Sequence, residues 1–272
     1  MTRPQIMNNH ASNIASEIKN LSLNALKCKI SALSSDEMPN YIEALNCDER
    51  AACKKMSIQL EKRLEAEHRE TLRMHKIFEF EREAWGNGCL FVAGLDEAGR
   101  GPLIGSVVAA AVILDPAIDW RGIDDSKKLT AYQRELFFEK IINHSISYGI
   151  GEATHEEIDT INILNATKLA MSRALEMMAI KPDFLLIDAV KLADNPLRQM
   201  NLIKGDSRSA SIAAASILAK VTRDRQMVAL NQLHPNYEFA QHKGYGTDKH
   251  YDAIRKLGLL PEHRRSFLKG FF

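Results

Sequence analysis

Two short apolar runs in this chain each stop on an acid. Leu90-Phe91-Val92-Ala93-Gly94-Leu95 leads straight into Asp96-Glu97, and Phe184-Leu185-Leu186-Ile187 leads into Asp188. Runs of this length read as buried strands, the first following the break Gly86-Asn87-Gly88 and the second entered after Pro182. Carboxylates at buried strand ends are costly unless something positive sits among them. The ends of neighbouring strands lie only about 5 Å apart, so if these two strands are neighbours their acids converge. The pattern therefore asks for a sheet built around a cation-binding edge.

The remaining signal alternates between strand and helix. An apolar run at 103–114 follows too closely on the first strand for a helical crossover, so the two are expected to pair antiparallel. A third strand is expected at 145–154 and a further short one at 201–204. Ile158, Ile161, Leu164, Met171, Leu175 and Met178 recur at helical spacing and predict an amphipathic helix over 155–178. An alanine-rich helix starting near Asp206 or Ser207 carries Asp224. An α/β fold follows, with a mixed sheet covered by helices on both faces.

Residues 1–84 differ in texture: they hold no glycine and thirteen charges of each sign, which suits paired charges on exposed helices. They read as a small helical extension, with Asp48 capping a long helix that runs toward Trp85, while 85–272 forms the main domain and its C-terminal helical segment. A net charge of +1 excludes a globally basic nucleic-acid binder, yet residues 241–272 carry seven Lys/Arg against three Asp/Glu. Cys28, Cys47, Cys53 and Cys89 form no C-x-x-C pair, which argues against zinc and for reduced thiols. Residues 1–10 lack the apolar core of a signal peptide, and the apolar run at 107–114 is too short to span a bilayer, so a cytoplasmic, membrane-free monomer is expected.

Asp96, Glu97, Asp188 and Asp224 are the candidate catalytic and metal-binding residues. Asp224 shares a helix face with Ile217, Lys220 and Val221, which carries its carboxylate toward the sheet. Four hard oxygen donors favour Mg²⁺ or Mn²⁺. Two such ions would suffice for phosphodiester hydrolysis without a protein nucleophile. No G-x-S-x-G elbow or Walker sequence competes with that reading. In Gly99-Arg100-Gly101 the glycines let backbone N–H groups approach a phosphate or sugar closely. Lys127 and Lys128 are candidates for phosphate contacts, and Tyr245, between two glycines, has little core to fill. His242, His250 and His263 are assigned no metal. A lone acid on a strand end or helix is usually a cap or surface charge; the joint placement is what carries the assignment.

The chain resembles the ribonuclease HII family through GLDEAGRGPLIGSVVAAAVIL (94–114), DDSKKLT (124–130), EEIDTINILNATKLAM (156–171), LLIDAV (185–190), KGDSRSASIAAASILAKVTRDR (204–225), HKGYGT (242–247) and PEHRRSF (261–267). The resemblance implies a ribonuclease H-like mixed sheet and two metal ions held by Asp96, Glu97, Asp188 and Asp224. It implies that Gly99, Arg100 and Gly101 read the ribonucleotide 2′-hydroxyl, the group that separates RNA from DNA, with Tyr245 against the neighbouring deoxyribose. The implied activity is cleavage of RNA in RNA–DNA hybrids and 5′ of single ribonucleotides in duplex DNA, leaving 3′-hydroxyl and 5′-phosphate ends, as in ribonucleotide excision repair and DNA replication. Arg100 separates the chain from ribonuclease HIII, which carries lysine there. Ile104, Ser106 and the tail 268–272 depart from the family's usual pattern. The helical extension resembles those of Gram-positive members, where it is thought to aid substrate binding.

Overall fold

The computed structural model describes residues 13–270; the polar stretch 1–10 and the last two residues of the atypical tail, Phe271 and Phe272, lie largely or wholly outside the described residues. Two compact units divide between Met74 and His75. In the first, residues 13–20 are helical and are followed by α1 (Leu23–Ser31), α2 (Met38–Asn46) and α3 (Ala51–Ile77). Ile18, Leu26, Met38, Leu45 and Leu60 form its core. Asp48 lies ahead of α3, where its carboxylate accepts hydrogen bonds from the backbone N–H and guanidinium of Arg50. That guanidinium reaches on to the carbonyls of Ile18 and Leu21.

The long helix expected to continue to Trp85 instead stops at Ile77, and α4 (Glu79–Gly86) begins beyond Phe78. The division at 74/75 reflects where α4 packs. Ala84 joins Val92, Leu186 and Ile212 in one apolar cluster. Glu81 is buried and accepts from the Ser209 hydroxyl (2.6 Å) and the Ser211 N–H (2.9 Å).

The second unit is organised by five strands: β1 (Val92–Ala98), β2 (Val107–Ile113), β3 (Ser147–Ala153), β4 (Phe184–Asp188) and β5 (Arg198–Leu202), in the order β3-β2-β1-β4-β5. β1 and β3 each pair antiparallel with β2, whereas β1–β4 and β4–β5 are parallel, so the sheet is mixed. Because side chains alternate along a strand, Ala93, Leu95, Leu185 and Ile187 share one face. They pack with Ala166, Ala170, Met171 and Ala174 of α6 (His155–Met177). Val92, Gly94 and Asp96, with Leu186 and Asp188, point to the opposite face, covered by α7 (Ala210–Leu233). Between β2 and β3 runs α5 (Ala131–His144), whose start is fixed by reciprocal Thr130 and Gln133 hydrogen bonds.

Three boundaries depart from the sequence expectation for identifiable reasons. α6 is interrupted at Asn162 (φ 66°), whose side chain accepts the N–H groups of Leu164 and Asn165 and so restarts the helix as an internal cap. β5 ends at Leu202 rather than 204, since Lys204 adopts a left-handed conformation (φ 56°). α7 begins at Ala210, capped by the Ser209 hydroxyl, and Asp206 sits earlier, in the 3₁₀ turn Gly205–Ser207.

α7 approaches β1 so closely that a Cβ on Gly94 would lie 2.1 Å from the Ser211 carbonyl carbon. No rotamer relieves a clash with backbone. Gly94→Ala is accordingly expected to lower the unfolding free energy in urea by about 3 kcal/mol, the upper part of the usual overpacking range. Gly86→Ala meets no atom within 4 Å and is expected not to lower it.

Candidate active site

Parallel pairing places Leu95 beside Ile187, so the next residues, Asp96 and Asp188, stand side by side where β1 and β4 part, Asp96 still paired with Ala110 of β2 and Asp188 with Leu202 of β5. Asp206 joins them from the turn before α7. Ligand oxygens of Asp96, Asp188 and Asp206 all lie within 4.8 Å of one another. Their local supports are few: Asp96 Oδ1 accepts the Glu97 N–H (2.7 Å) and Asp188 Oδ1 accepts the Gly205 N–H (2.8 Å). Lys127 Nζ donates to Asp206 Oδ2 (3.0 Å). Backbone strain flanks the group, with Ala189 (φ 52°) directly after Asp188 and Lys204 two residues before Asp206. Each such conformation costs roughly 1–3 kcal/mol and persists where the surroundings demand it.

Burial, and then the charges of Glu97 and Asp188, raise the Asp96 carboxyl well above its ordinary range. Burial likewise raises Glu97, with Arg100 opposing, and Asp188, with the Gly205 N–H opposing. Glu97 Oε1 accepts from Arg100 Nη1 (3.0 Å), but Oε2 is buried with no partner among the described residues. Hard, desolvated, mutually repelling oxygens with one orphaned among them fit a divalent cation.

A cavity of about 350 Å³ opens beside this cluster, lined by Glu97, Gly99, Arg100, Gly101, Lys127 and Tyr245 among others. Gly99 turns at φ 91°, and a Cβ there would stand 2.7 Å from Arg223 Nε, so both its conformation and its close packing require glycine. The Tyr245 ring lies against Gly101: a Cβ on that glycine would be 3.2 Å from Tyr245 Cε1. Tyr245 is 48% exposed, an aromatic face kept open on the cavity wall rather than spent in the core.

A family model described as ribonuclease HII matches residues 93–270, and one described as the ribonuclease HII N-terminal domain matches 22–85. The chain belongs to the ribonuclease HII family. It is 45% identical to the ribonuclease HII of Clostridioides difficile over 92% of this chain and 98% of that one. Against the ribonuclease HII of Ruminiclostridium cellulolyticum it is 48% identical, with the same shares covered. Among solved structures, the ribonuclease H2 of Pyrococcus horikoshii superposes with a TM-score of 0.56 at 30% identity, over 65% of this chain and 93% of that one. Membership makes the chain a ribonuclease H, a hydrolase acting on RNA–DNA hybrids. Among the described residues no helix is long and apolar enough to cross a membrane.

Of the acids singled out in this ribonuclease HII sequence, Asp96 and Asp188 meet in the cluster and Glu97 adjoins it. Asp224 is outside the cluster: about four turns into α7, it is half-buried, lines the cavity and accepts from Lys220 Nζ (2.7 Å). The third member of the cluster is Asp206, which the sequence reading took for a helix start. Its signal was the Gly205-Asp206 step ahead of a serine cap, since a cap at Ser209 leaves the earlier acid free for other work. Lys127 faces Asp206 with its side chain 76% exposed. Lys128 pairs with Asp124.

The three histidines act as packing and hydrogen-bonding groups. Leu260 N–H donates to His263 Nδ1 (2.9 Å), which leaves the proton on Nε2 to reach His250 Nε2 (3.1 Å). His250 then carries its proton on Nδ1 and donates to the Tyr245 carbonyl (3.0 Å). This chain needs both rings neutral, and burial depresses each to about 4. Unfolded histidines titrate near 6.5, so stability is fully present above that value and is lost as pH falls toward 4. Thermal or urea unfolding should show a loss of about 2 kcal/mol for each ring, about 4 kcal/mol in all, between pH 7 and pH 5, roughly halved in His250→Gln.

Proposed function

We propose that this enzyme hydrolyses the phosphodiester 5′ of a ribonucleotide, within RNA–DNA hybrids and at single ribonucleotides in duplex DNA, leaving 3′-hydroxyl and 5′-phosphate ends. The observation that carries the reading is the meeting of Asp96, Asp188 and Asp206 beside a cavity whose wall is the Gly99-Arg100-Gly101 turn. Asp96, Asp188 and Asp206, with the orphaned oxygen of Glu97, would hold two Mg²⁺ or Mn²⁺ ions. When bound, such ions lower the pKa of an attacking water and stabilise the charge of a departing 3′ oxygen.

The chain's own residues supply selection and positioning. The amides of the Gly99-Arg100-Gly101 turn face a sugar 2′-hydroxyl, and the exposed Tyr245 ring stacks on the adjoining deoxyribose. Neither contact reads a base, which suits an enzyme that must act at any sequence. Lys127, Lys220, Lys243 and Arg100 ring the cavity and are placed to take phosphates without sequence preference. Asp224 then serves the cavity by holding Lys220 in place, not by binding metal.

Cleavage of duplex DNA bearing one ribonucleotide, with and without chelator, tests substrate and metal dependence together; a chelator-insensitive product or an intact duplex would defeat the reading. Asp206→Asn is expected to lower the rate at least about 100-fold, beyond the usual loss for an outer-shell partner. It should not lower the melting temperature, because it removes one of several repelling buried charges. Asp224→Asn, which breaks only a lysine contact, should cost about tenfold, the low end of the range for a single hydrogen bond to a charge.

A further inference from the structure

Arg264 is fully buried, and among the described residues no carboxylate accepts from its guanidinium. Its Nε donates to the Gly105 carbonyl (2.8 Å), Nη1 to those of Arg100 (3.0 Å) and Pro102 (2.8 Å), and Nη2 to those of Gly99 (2.6 Å) and Ser106 (3.0 Å). A guanidinium has five N–H donors, and here each meets a different carbonyl of one short loop. In a planar trans peptide the N–H points opposite to the carbonyl. Turning the Gly99 and Arg100 carbonyls onto Arg264 therefore turns the N–H groups of Arg100 and Gly101 away from it. Among the described residues neither of these amides has a hydrogen-bond acceptor.

We propose that Arg264 is the positioning residue for ribonucleotide recognition: by gathering the loop's carbonyls it orients two bare amides to receive the sugar 2′-hydroxyl. The inference rests on the reading of the Gly99-Arg100-Gly101 turn given above. The segment carrying Arg264 is itself fixed to the loop and to the helix layer. The Arg264 N–H donates to the Leu103 carbonyl and the Gly105 N–H to that of Glu262, while Ile104 and His263 form an antiparallel bridge. On the far side, Asp159 of α6 accepts the N–H groups of Arg265 (2.8 Å) and Ser266 (2.9 Å). A lysine at 264 keeps the charge but offers three donors without the planar fork, so it cannot gather all five carbonyls.

The test compares KM for a duplex bearing one ribonucleotide with Ki for the all-DNA duplex of the same sequence as competitor. In the wild-type chain KM is expected well below Ki. In Arg264→Lys, KM should rise at least about fivefold while Ki stays within about twofold, since only the sugar contact is disturbed. A purely structural role lowers the active fraction and hence the apparent kcat, and moves neither constant. Asp159→Asn, which loosens the same segment from α6, should shift KM in the same direction by less, and decides the matter if Arg264→Lys does not fold. Unchanged KM in the folded variant overturns the role of Arg264. Equal KM and Ki in the wild type would instead overturn the reading of the turn itself.

Discussion

Mutual repulsion among Asp96, Asp188 and Asp206, held within 4.8 Å in a largely buried crease, is the constraint to which the second unit answers. The sheet supplies the first two acids through a parallel β1–β4 pairing that sets Asp96, within β1, beside Asp188, the last residue of β4, on the α7 side. The third arrives because the chain leaves β5 through a left-handed Lys204, turns tightly at Gly205 and delays the start of α7 to Ala210. Ala189 and Lys204 adopt conformations that non-glycine residues avoid, and the packed alanine-rich helix and sheet on either side are what hold them there.

Much of this plan was legible in the sequence. Apolar runs ending in acids gave the neighbouring strands, and the short spacing between 90–95 and 103–114 gave the antiparallel pairing, because both depend on local pattern alone. Asp206 was hidden for the opposite reason. Its neighbours Gly205 and Ser207 look like ordinary helix-entry residues, and only the capping hydroxyl of Ser209, backed by the buried Glu81, moves the start of α7 beyond it. Asp224 was expected beside the strand acids because it shares a helical face with Ile217 and Val221. The face does pack inward, but about 1.5 Å of rise per residue carries position 224 well past the edge where the acids meet. β5 was misplaced because Arg198-Gln199-Met200-Asn201-Leu202 shows no clean alternation, so its pairing with β4 is set by tertiary packing.

The positive charge behind the 99–105 loop answers a different demand. Arg264 and Arg223 are both buried against the 99–105 segment, and burial lowers their guanidinium pKa values to about 9 and about 10. Arg264 has every donor satisfied by backbone. Arg223 has one, the Ile104 carbonyl (2.6 Å), while its Nε and Nη1 are buried without partners. The two desolvated cations oppose each other, and the carbonyl dipoles gathered around Arg264 offset that repulsion, so the loop's shape and the burial of Arg264 are maintained together. Glycine at 99 and 105 is what permits that approach, since side chains there would meet Arg223 first.

Charge compensation at the front of the site follows from the same logic. Lys127 neutralises Asp206, and Arg100 neutralises one oxygen of Glu97, on the two sides where cations and phosphates would enter. Both basic side chains are substantially exposed and neither is locked by a second strong partner. A divalent ion arriving at the carboxylates would replace them as counter-charge and release them toward the phosphates of the same substrate. Each of the two basic side chains thus has a counter-charge before and after the exchange. That is why a pair of solvent-facing cations, and not a deeper salt bridge, suits the mouth of an acidic site that must accept both metal and polyanion.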